Sequence, residues 1–378
     1  MKIYKKAILP LGFKANALAC GIKKSGKMDL ALLYSEVPAK AGCQFTTNTI
    51  QAAPIKISRR NLKAGKNFRA IIVNSGNANC FTGPAGLRDA QKIVKATACA
   101  LGVKKEEVLA ASTGIIGKKM PLDKIKKAIP QLAEGLCATG IAKAKKAIMT
   151  TDTFAKEVSL NFKIAGKRVT LCAIAKGAGM IAPHMATMLC FILTDASITQ
   201  SALNKALSRA VDNSFNCISV DGCMSTNDSV MCLANGAAGN PAIGLDNKFA
   251  LFFKALNLAC LELAKMIVRD AEGATKFISV TLKEAKSFQE AKKVALGIAN
   301  SSLFKTALYG ENPNFGRIIA AIGASRVAVK EEEIKIKASP LNKKDIAITV
   351  FLKNGKSSAV VFTCDLTPEY IKINAGYN

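Results

Sequence analysis

The chain has 378 residues, half of them hydrophobic, with 54 Lys and Arg against 26 Asp and Glu, one His, twelve Cys and no Trp. That length and apolar content exclude a disordered tail and allow a large core divided among two or three compact parts. A net charge of +28 admits nucleic acid, membrane surfaces and anionic molecules as partners, but the lysines run as pairs (Lys23-Lys24, Lys104-Lys105, Lys118-Lys119) without interleaved aromatics, which favours a solvated basic surface over nucleic-acid or membrane binding.

Residues 1–20 carry Lys2, Lys5 and Lys6, and their apolar run is broken by Pro10, Gly12 and Lys14, a pattern that does not support a signal peptide and points to a cytoplasmic protein. Residues 70–73 read as a buried strand that ends in the turn-forming string Asn74-Ser75-Gly76-Asn77-Ala78-Asn79. A helix follows over about residues 86–101, with Ile93, Val94 and Thr97 on one face. The same order recurs in the strand 108–111, the turn Ser112-Thr113-Gly114 and the lysine-rich stretch 122–132. Residues 171–175 and 188–193 are two further apolar strands, joined by the nearly uncharged connector 176–187.

Downstream, residues 200–211 and 245–270 read as amphipathic helices. The most apolar part of the second, 251–268, contains Lys254, Glu262 and Lys265, which a membrane span would not tolerate. From Phe277 the pattern is strand-rich, with apolar runs at 278–280, 334–336, 346–351 and 359–362. The expectation is an α/β (α+β) protein of layered sheets and helices with a smaller strand-rich C-terminal subdomain from about residue 281.

The cysteines are scattered and form no C-x-x-C pair, so reduced buried thiols are expected rather than a disulfide framework. The spacings around Cys217, Cys223 and Cys232 match no zinc pattern, and His184 is the single histidine. No metal or cofactor is expected. The glycines of 176–179 fit neither a dinucleotide nor a phosphate-loop motif, and a serine–histidine triad would have to use His184, three residues from Thr187. The charge is uneven: residues 1–186 hold 32 Lys and Arg against 9 Asp and Glu, and residues 187–378 hold 22 against 17.

The string from Lys176 to Thr187, followed by Met188-Leu189, resembles the cleavage signature of the ornithine acetyltransferase (glutamate N-acetyltransferase) family. The resemblance spans the chain in order: Gly12-Phe13-Lys14-Ala15, Gly21-Ile22-Lys23-Lys24, Phe45-Thr46-Thr47-Asn48, Asn74 to Asn79, Ser112 to Gly117, and Thr150-Thr151-Asp152-Thr153-Phe154. Then come Ser219-Val220-Asp221-Gly222, Ser225-Thr226-Asn227-Asp228, Glu272 to Lys276, Asn312 to Arg317 and Ile373-Asn374-Ala375. It departs at His184, where Asn is usual, and at Phe315, where Trp is common.

What the resemblance implies is a layered N-terminal-nucleophile-like fold and a precursor that cuts itself between Ala186 and Thr187. An α chain of residues 1–186 and a β chain of residues 187–378 result, assembled as α2β2. A threonine hydroxyl needs a neighbouring base, and cleavage supplies one in the new α-amino group, whose ordinary pKa of about 7.7–8.0 suits proton transfer near neutrality. Thr187 is then the nucleophile, and Thr113 and Gly114 form the oxyanion hole through a hydroxyl and a backbone N–H. Thr153, Lys176, Thr187, Glu272 and Asn374 are implied substrate contacts, with Lys176 for a carboxylate and Glu272 for the cationic end of ornithine. Asn378 is the candidate for a C-terminal contact that the family makes with a small hydroxyl residue. Taken alone, Ser112-Thr113-Gly114 is a capped turn and Lys176 one lysine among many. The implied reaction moves acetyl from N2-acetylornithine to glutamate through acetyl-Thr187, with acetyl-CoA as a possible co-substrate. A related amidohydrolase or aminopeptidase, with water as acceptor, is the alternative enzyme, and a basic nucleic-acid-binding protein the alternative class.

Overall fold

Short apolar strands and amphipathic helices alternate along the first part of the chain: β1 (Lys2–Tyr4), β2 (Phe13–Leu18), β3 (Leu30–Phe45), α1 (Ala53–Ala64), β4 (Phe68–Asn77), α2 (Gly83–Leu101), β5 (Val108–Ile115), α3 (Leu122–Glu134), α4 (Ile141–Ala147), β6 (Lys156–Ile164), β7 (Lys167–Lys176), β8 (Leu189–Thr194), α5 (Gln200–Asp212) and β9 (Ser229–Ala234). There follow α6 (Asn247–Arg269), β10 (Phe277–Ala285), α7 (Phe288–Ala299), α8 (Ser302–Tyr309), α9 (Gly316–Ala324), β11 (Lys335–Ala338), β12 (Asp345–Phe351), β13 (Ser357–Cys364) and α10 (Pro368–Ala375). This computed structural model describes residues 1–182 and 188–376. They divide into two units, one of residues 1–177, 188–213 and 225–263 and the other of residues 178–182, 214–224 and 264–376.

In the first unit the strands run in the order β1-β6-β7-β8-β9-β3-β4-β5, with β2 beside β3. β4 and β5 are parallel, as are β8 and β9, and the other pairs are antiparallel. β3 is long enough to serve two partners. Residues 30–34 pair with β4 and residues 40–45 with β9, with an irregularity between. Alternation then separates two cores. Leu30, Leu32, Ala70, Ile72, Val108 and Ala110 face Ile57 of α1, Ile93 and Val94 of α2 and Ile125 and Ile129 of α3. Their neighbours Ala31, Leu33, Ile71, Val73, Leu109 and Ala111 join Cys172, Ile174, Phe191, Leu193, Met231 and Leu233 from the other end of the sheet. Beyond that end, α5 lies on β3 at Gly42, where a Cβ would come 3.1 Å from Leu203, and α6 brings Phe252 to within 6.5 Å of Phe162 on β6. Helix, sheet, sheet and helix therefore stack in layers.

The second unit has a four-stranded sheet, β11-β12-β10-β13, with β10 parallel to β12 and antiparallel to β13. Ile278, Val280 and Leu282 of β10, with Ile348 and Val361, bury Val294 and Ile298 of α7 and Ile318 and Ile322 of α9. Among the described residues, no helix is long and apolar enough to cross a membrane.

The layered α/β architecture is the expected one. Two local readings change. Residues 74–77 and 112–115 continue their strands instead of forming turns, and among the described residues the C-terminal part carries the helices α7, α8, α9 and α10 as well as its sheet. Those helices span only 8 to 12 residues, so their periodicity is faint, although the caps Ser287, Ser301 and Thr367 accept from Glu290, Phe304 and Tyr370 N–H groups in the ordinary way.

Candidate active site

β4 and β5 run side by side to Gly76 and Gly114, where their register becomes irregular and Asn77 faces both Thr113 and Ile115. Such a bulge re-aims side chains at the end of a strand. Gly114 has φ +132°, and a Cβ there would lie 2.4 Å from the Gly76 carbonyl carbon and 2.5 Å from the Asn77 nitrogen. Only glycine fits. The surrounding polar groups are cross-tied: Ser112 Oγ donates to Asn74 Oδ1 at 2.6 Å, and Asn74 Nδ2 donates to the Asn77 carbonyl at 2.8 Å. Asn227 Nδ2 donates to the carbonyls of Ser112 (2.8 Å) and Ala78 (2.6 Å). This accounts for the asparagine-rich string, whose members satisfy buried backbone groups.

Lys176 ends β7 with 2% of its surface exposed, and its Nζ lies 3.4 Å from Thr113 Oγ1, on a residue that is itself buried. A buried ammonium requires a counter-charge. Asp152 supplies it. Its Oδ1 accepts from Lys156 Nζ at 2.6 Å and Gly177 N–H at 2.7 Å, and its Oδ2 from Thr150 N–H at 2.9 Å. Burial opposes ionisation of Asp152, but the fields of Lys176 and Lys156, with these hydrogen bonds, outweigh it and hold the carboxyl down to about 2. Lys23 donates to the carbonyls of Met28 (2.9 Å) and Met149 (2.8 Å), and burial, reinforced by the cation of Lys176, lowers its pKa to about 8. Thr153 follows Asp152 and is exposed.

Asp228 is fully buried beside the same strands. Its Oδ1 accepts the Met188 N–H at 2.9 Å, fixing the peptide that precedes β8, and its Oδ2 has no hydrogen-bond partner among the described residues. Burial pushes this carboxyl well above the usual range, against the pull of the Met188 N–H, Ser225 and Lys176.

Glu272 and Asn374 belong to the second unit. There Asn374 Nδ2 donates to Glu272 Oε2 at 3.0 Å, and the Glu272 N–H to the Ala178 carbonyl at 3.1 Å. Thr113, Gly114, Thr153 and Lys176 belong to the first unit, and of these the structure brings Thr113 and Lys176 into contact. Ala186, Thr187, Asn378 and His184 lie outside the described residues. Asp152, Lys156, Asn227 and Asp228 do not stand out by residue type alone. Three of them stand inside strings already singled out, Thr150 to Phe154 and Ser225 to Asp228. Lys156 carries no signal, because nothing in its neighbours distinguishes it from a surface lysine.

The sequence profile of the ArgJ family matches residues 14–342 and 337–378. The arginine biosynthesis bifunctional protein ArgJ of Geobacter sulfurreducens is 42% identical over 388 residues, covering 97% of this chain and 98% of that protein. Its namesake in Dehalococcoides mccartyi is 44% identical over 394 residues, covering 97% and 96%. Among solved structures, ornithine acetyltransferase complexed with ornithine from Mycobacterium tuberculosis is 38% identical over 48% of this chain and 97% of that one, with a TM-score of 0.45.

Proposed function

The chain belongs to the ArgJ family, and from that premise we propose that it is a self-cleaving acetyltransferase of arginine biosynthesis, moving acetyl from N2-acetylornithine to glutamate. The observation that carries the reading is Lys176. It is a buried cation placed at the Thr113 hydroxyl, at the end of the strand that leads into the cleavage segment.

In the maturation step the Thr187 hydroxyl attacks the Ala186 carbonyl carbon, the Ala186–Thr187 amide becomes an ester, and water hydrolyses it. The products are the Ala186 carboxylate and the α-amino group of Thr187. That amine then takes the hydroxyl proton as Thr187 attacks the acetyl carbonyl of acetylornithine. Negative charge on the acetyl oxygen is met by the Thr113 hydroxyl and the Gly114 N–H, donors already ordered before the reaction. Collapse expels ornithine, which leaves with the proton, and acetyl-Thr187 remains. Glutamate's amine attacks that ester, giving N-acetylglutamate and free Thr187. Lys176 pairs with a substrate carboxylate, Glu272 with the side-chain cation of ornithine, and Thr153 and Asn374 supply polar contacts. Acetyl-CoA serves as a second donor, in keeping with the bifunctional relatives.

The cut leaves the two chains interleaved. β8 pairs with β7 on one side and β9 on the other, so strands from both pieces share one sheet and need no covalent link to stay together. The working assembly is α2β2 in the cytoplasm, where the excess positive charge of residues 1–186 draws in anionic substrates. Mass measurement of the purified protein tests the scheme: wild type should give fragments ending at Ala186 and beginning at Thr187, and Thr187→Ala one intact, inactive chain. An uncleaved wild-type protein with full transfer activity would reject it. Product analysis with and without glutamate separates transfer from hydrolysis: acetate release that glutamate does not suppress would select the amidohydrolase.

A further inference from the structure

Glu272 is half-buried, and Asn374 reaches one of its carboxylate oxygens. What sets the other side of that carboxylate is the main chain at Gly179. A Cβ on residue 179 would lie 2.2 Å from Glu272 Oε2 and 2.7 Å from Oε1. The Glu272 head group therefore occupies the volume that any side chain at 179 would take. The next residue, Met180, has φ +56°, a left-handed conformation that an unbranched non-glycine residue adopts only when its surroundings impose it.

Asp221 imposes it. Its Oδ2 accepts from the Met180 N–H at 2.6 Å and its Oδ1 from the Ile181 N–H at 2.9 Å, so one carboxylate grips two successive amides. Asp221 Oδ1 also accepts the Cys223 N–H at 3.0 Å, and Oδ2 the Tyr370 hydroxyl at 3.3 Å. Tyr370 and Asn374 are one turn apart on α10 and are linked by a hydrogen bond from Asn374 Nδ2 to the Tyr370 carbonyl at 3.0 Å. The start of that helix is seated on Gly273, whose φ is +67° and where a Cβ would come 2.4 Å from the Tyr370 nitrogen. One helix thus holds Asp221 through Tyr370 and Glu272 through Asn374, while Asp221 holds the turn on which Glu272 rests.

We propose that Gly179 and Asp221 are the specificity-determining positioning residues of the Glu272 carboxylate, fixing where the enzyme receives the side-chain cation of its amino-acid donor. The inference rests on the reading of Glu272 as the partner of that cation. Gly179 leaves room for the head group, and Asp221 keeps the strained turn from relaxing into that room. Neither touches substrate. Both act only on the substrate that carries a second amine.

The test uses the mature, cleaved protein and a split between two substrates. In Gly179→Ala the three atoms nearest the new methyl all belong to the flexible end of Glu272, so folding should be little changed while the head group is displaced. KM for N2-acetylornithine should rise about tenfold, the size expected when one charge-assisted hydrogen bond is lost, and KM for glutamate should stay within about twofold. Asp221→Asn, which keeps one acceptor but loses the second, should give the same one-sided change, whereas a merely structural lesion would weaken both substrates alike. Glu272→Gln is the reference. If it leaves KM for acetylornithine unchanged, the reading of Glu272 is wrong. If it raises that KM but Gly179→Ala and Asp221→Asn do not, or if they raise both KM values equally, the positioning roles are wrong and the reading of Glu272 stands.

Discussion

Lys176 and Glu272, the two charged residues of the proposed mechanism, belong to different units, and each unit holds its own residue in a different way. At Lys176 the charges are withdrawn from water: Lys176, Asp152 and Lys156 are all buried, with Lys156 at 0% exposure, and the Asp152 carboxylate lies in the field of both cations. At Glu272 the carboxylate is half-buried, its side-chain partner Asn374 is exposed, and its place is set by a turn and a missing side chain. A desolvated charge cluster cannot lose a member without stranding the rest. A partly solvated carboxylate can be shifted while water makes up the difference. The first arrangement joins the site to the stability of the fold, and the second leaves specificity free to vary.

Removing Lys156 should therefore have the largest effect. Lys156→Met keeps an unbranched apolar stem but takes away the 2.6 Å partner of Asp152, and breaking a buried pair in this way costs about 3–5 kcal/mol. Urea unfolding of the variant and wild type measures it. A loss below about 1 kcal/mol would mean that Lys176 alone balances Asp152, and the contrast between the two regions would lose its basis.

Acid titration probes the same cluster more gently. The Asp152 carboxyl falls from an ordinary 3.8 to about 2 in the folded state, so the unfolded chain takes up its proton first as pH drops. The stabilisation is complete above pH 4 and disappears as pH falls from about 4 through about 2. At about 1.4 kcal/mol per unit, the shift corresponds to roughly 2 kcal/mol. Unfolding free energies measured from pH 5 down to 2 should fall more steeply for wild type than for Asp152→Asn, and parallel curves would rule out the assigned shift.

What could be read before folding follows the same divide. Helices such as 200–211 announce themselves because burial of one face leaves a period in the residues, and strands such as 70–73 because burial of both faces leaves an unbroken apolar run. Thr113 and Lys176 were reached only through the ordered strings around them. Their local context also fits a capped turn and a surface lysine, and no pattern in the neighbouring residues says that Lys176 is 2% exposed. Lys156 was out of reach for a stronger reason. Its burial depends on Asp152 four residues earlier and on the peptide of Gly177 across the sheet, so the cause lies in strand pairing rather than in local spacing. The turns expected at 74–79 and 112–114 failed in the reverse sense. Asparagine and glycine are turn formers in isolation, but here asparagine side chains and a close glycine–glycine approach keep irregular strand ends ordered.

The smallest effect should come from Asn374→Ala. The side chain is exposed, its bond to Glu272 Oε2 is 3.0 Å long, and its other bond is to the Tyr370 carbonyl within its own helix, so alanine leaves no cavity and strands no buried group. Its contribution is the margin by which one hydrogen bond to a carboxylate exceeds water's, about 0.5–1.5 kcal/mol. KM for acetylornithine should rise about threefold to tenfold, with the thermal midpoint unchanged. A fall in that midpoint by several degrees would place Asn374 among the structural supports of α10, and the Glu272 region would then be tied to the fold in the same manner as the Lys176 cluster. An unchanged midpoint with a raised KM would keep the two regions distinct, one held by charge that the fold depends on and the other by a contact that only the substrate registers.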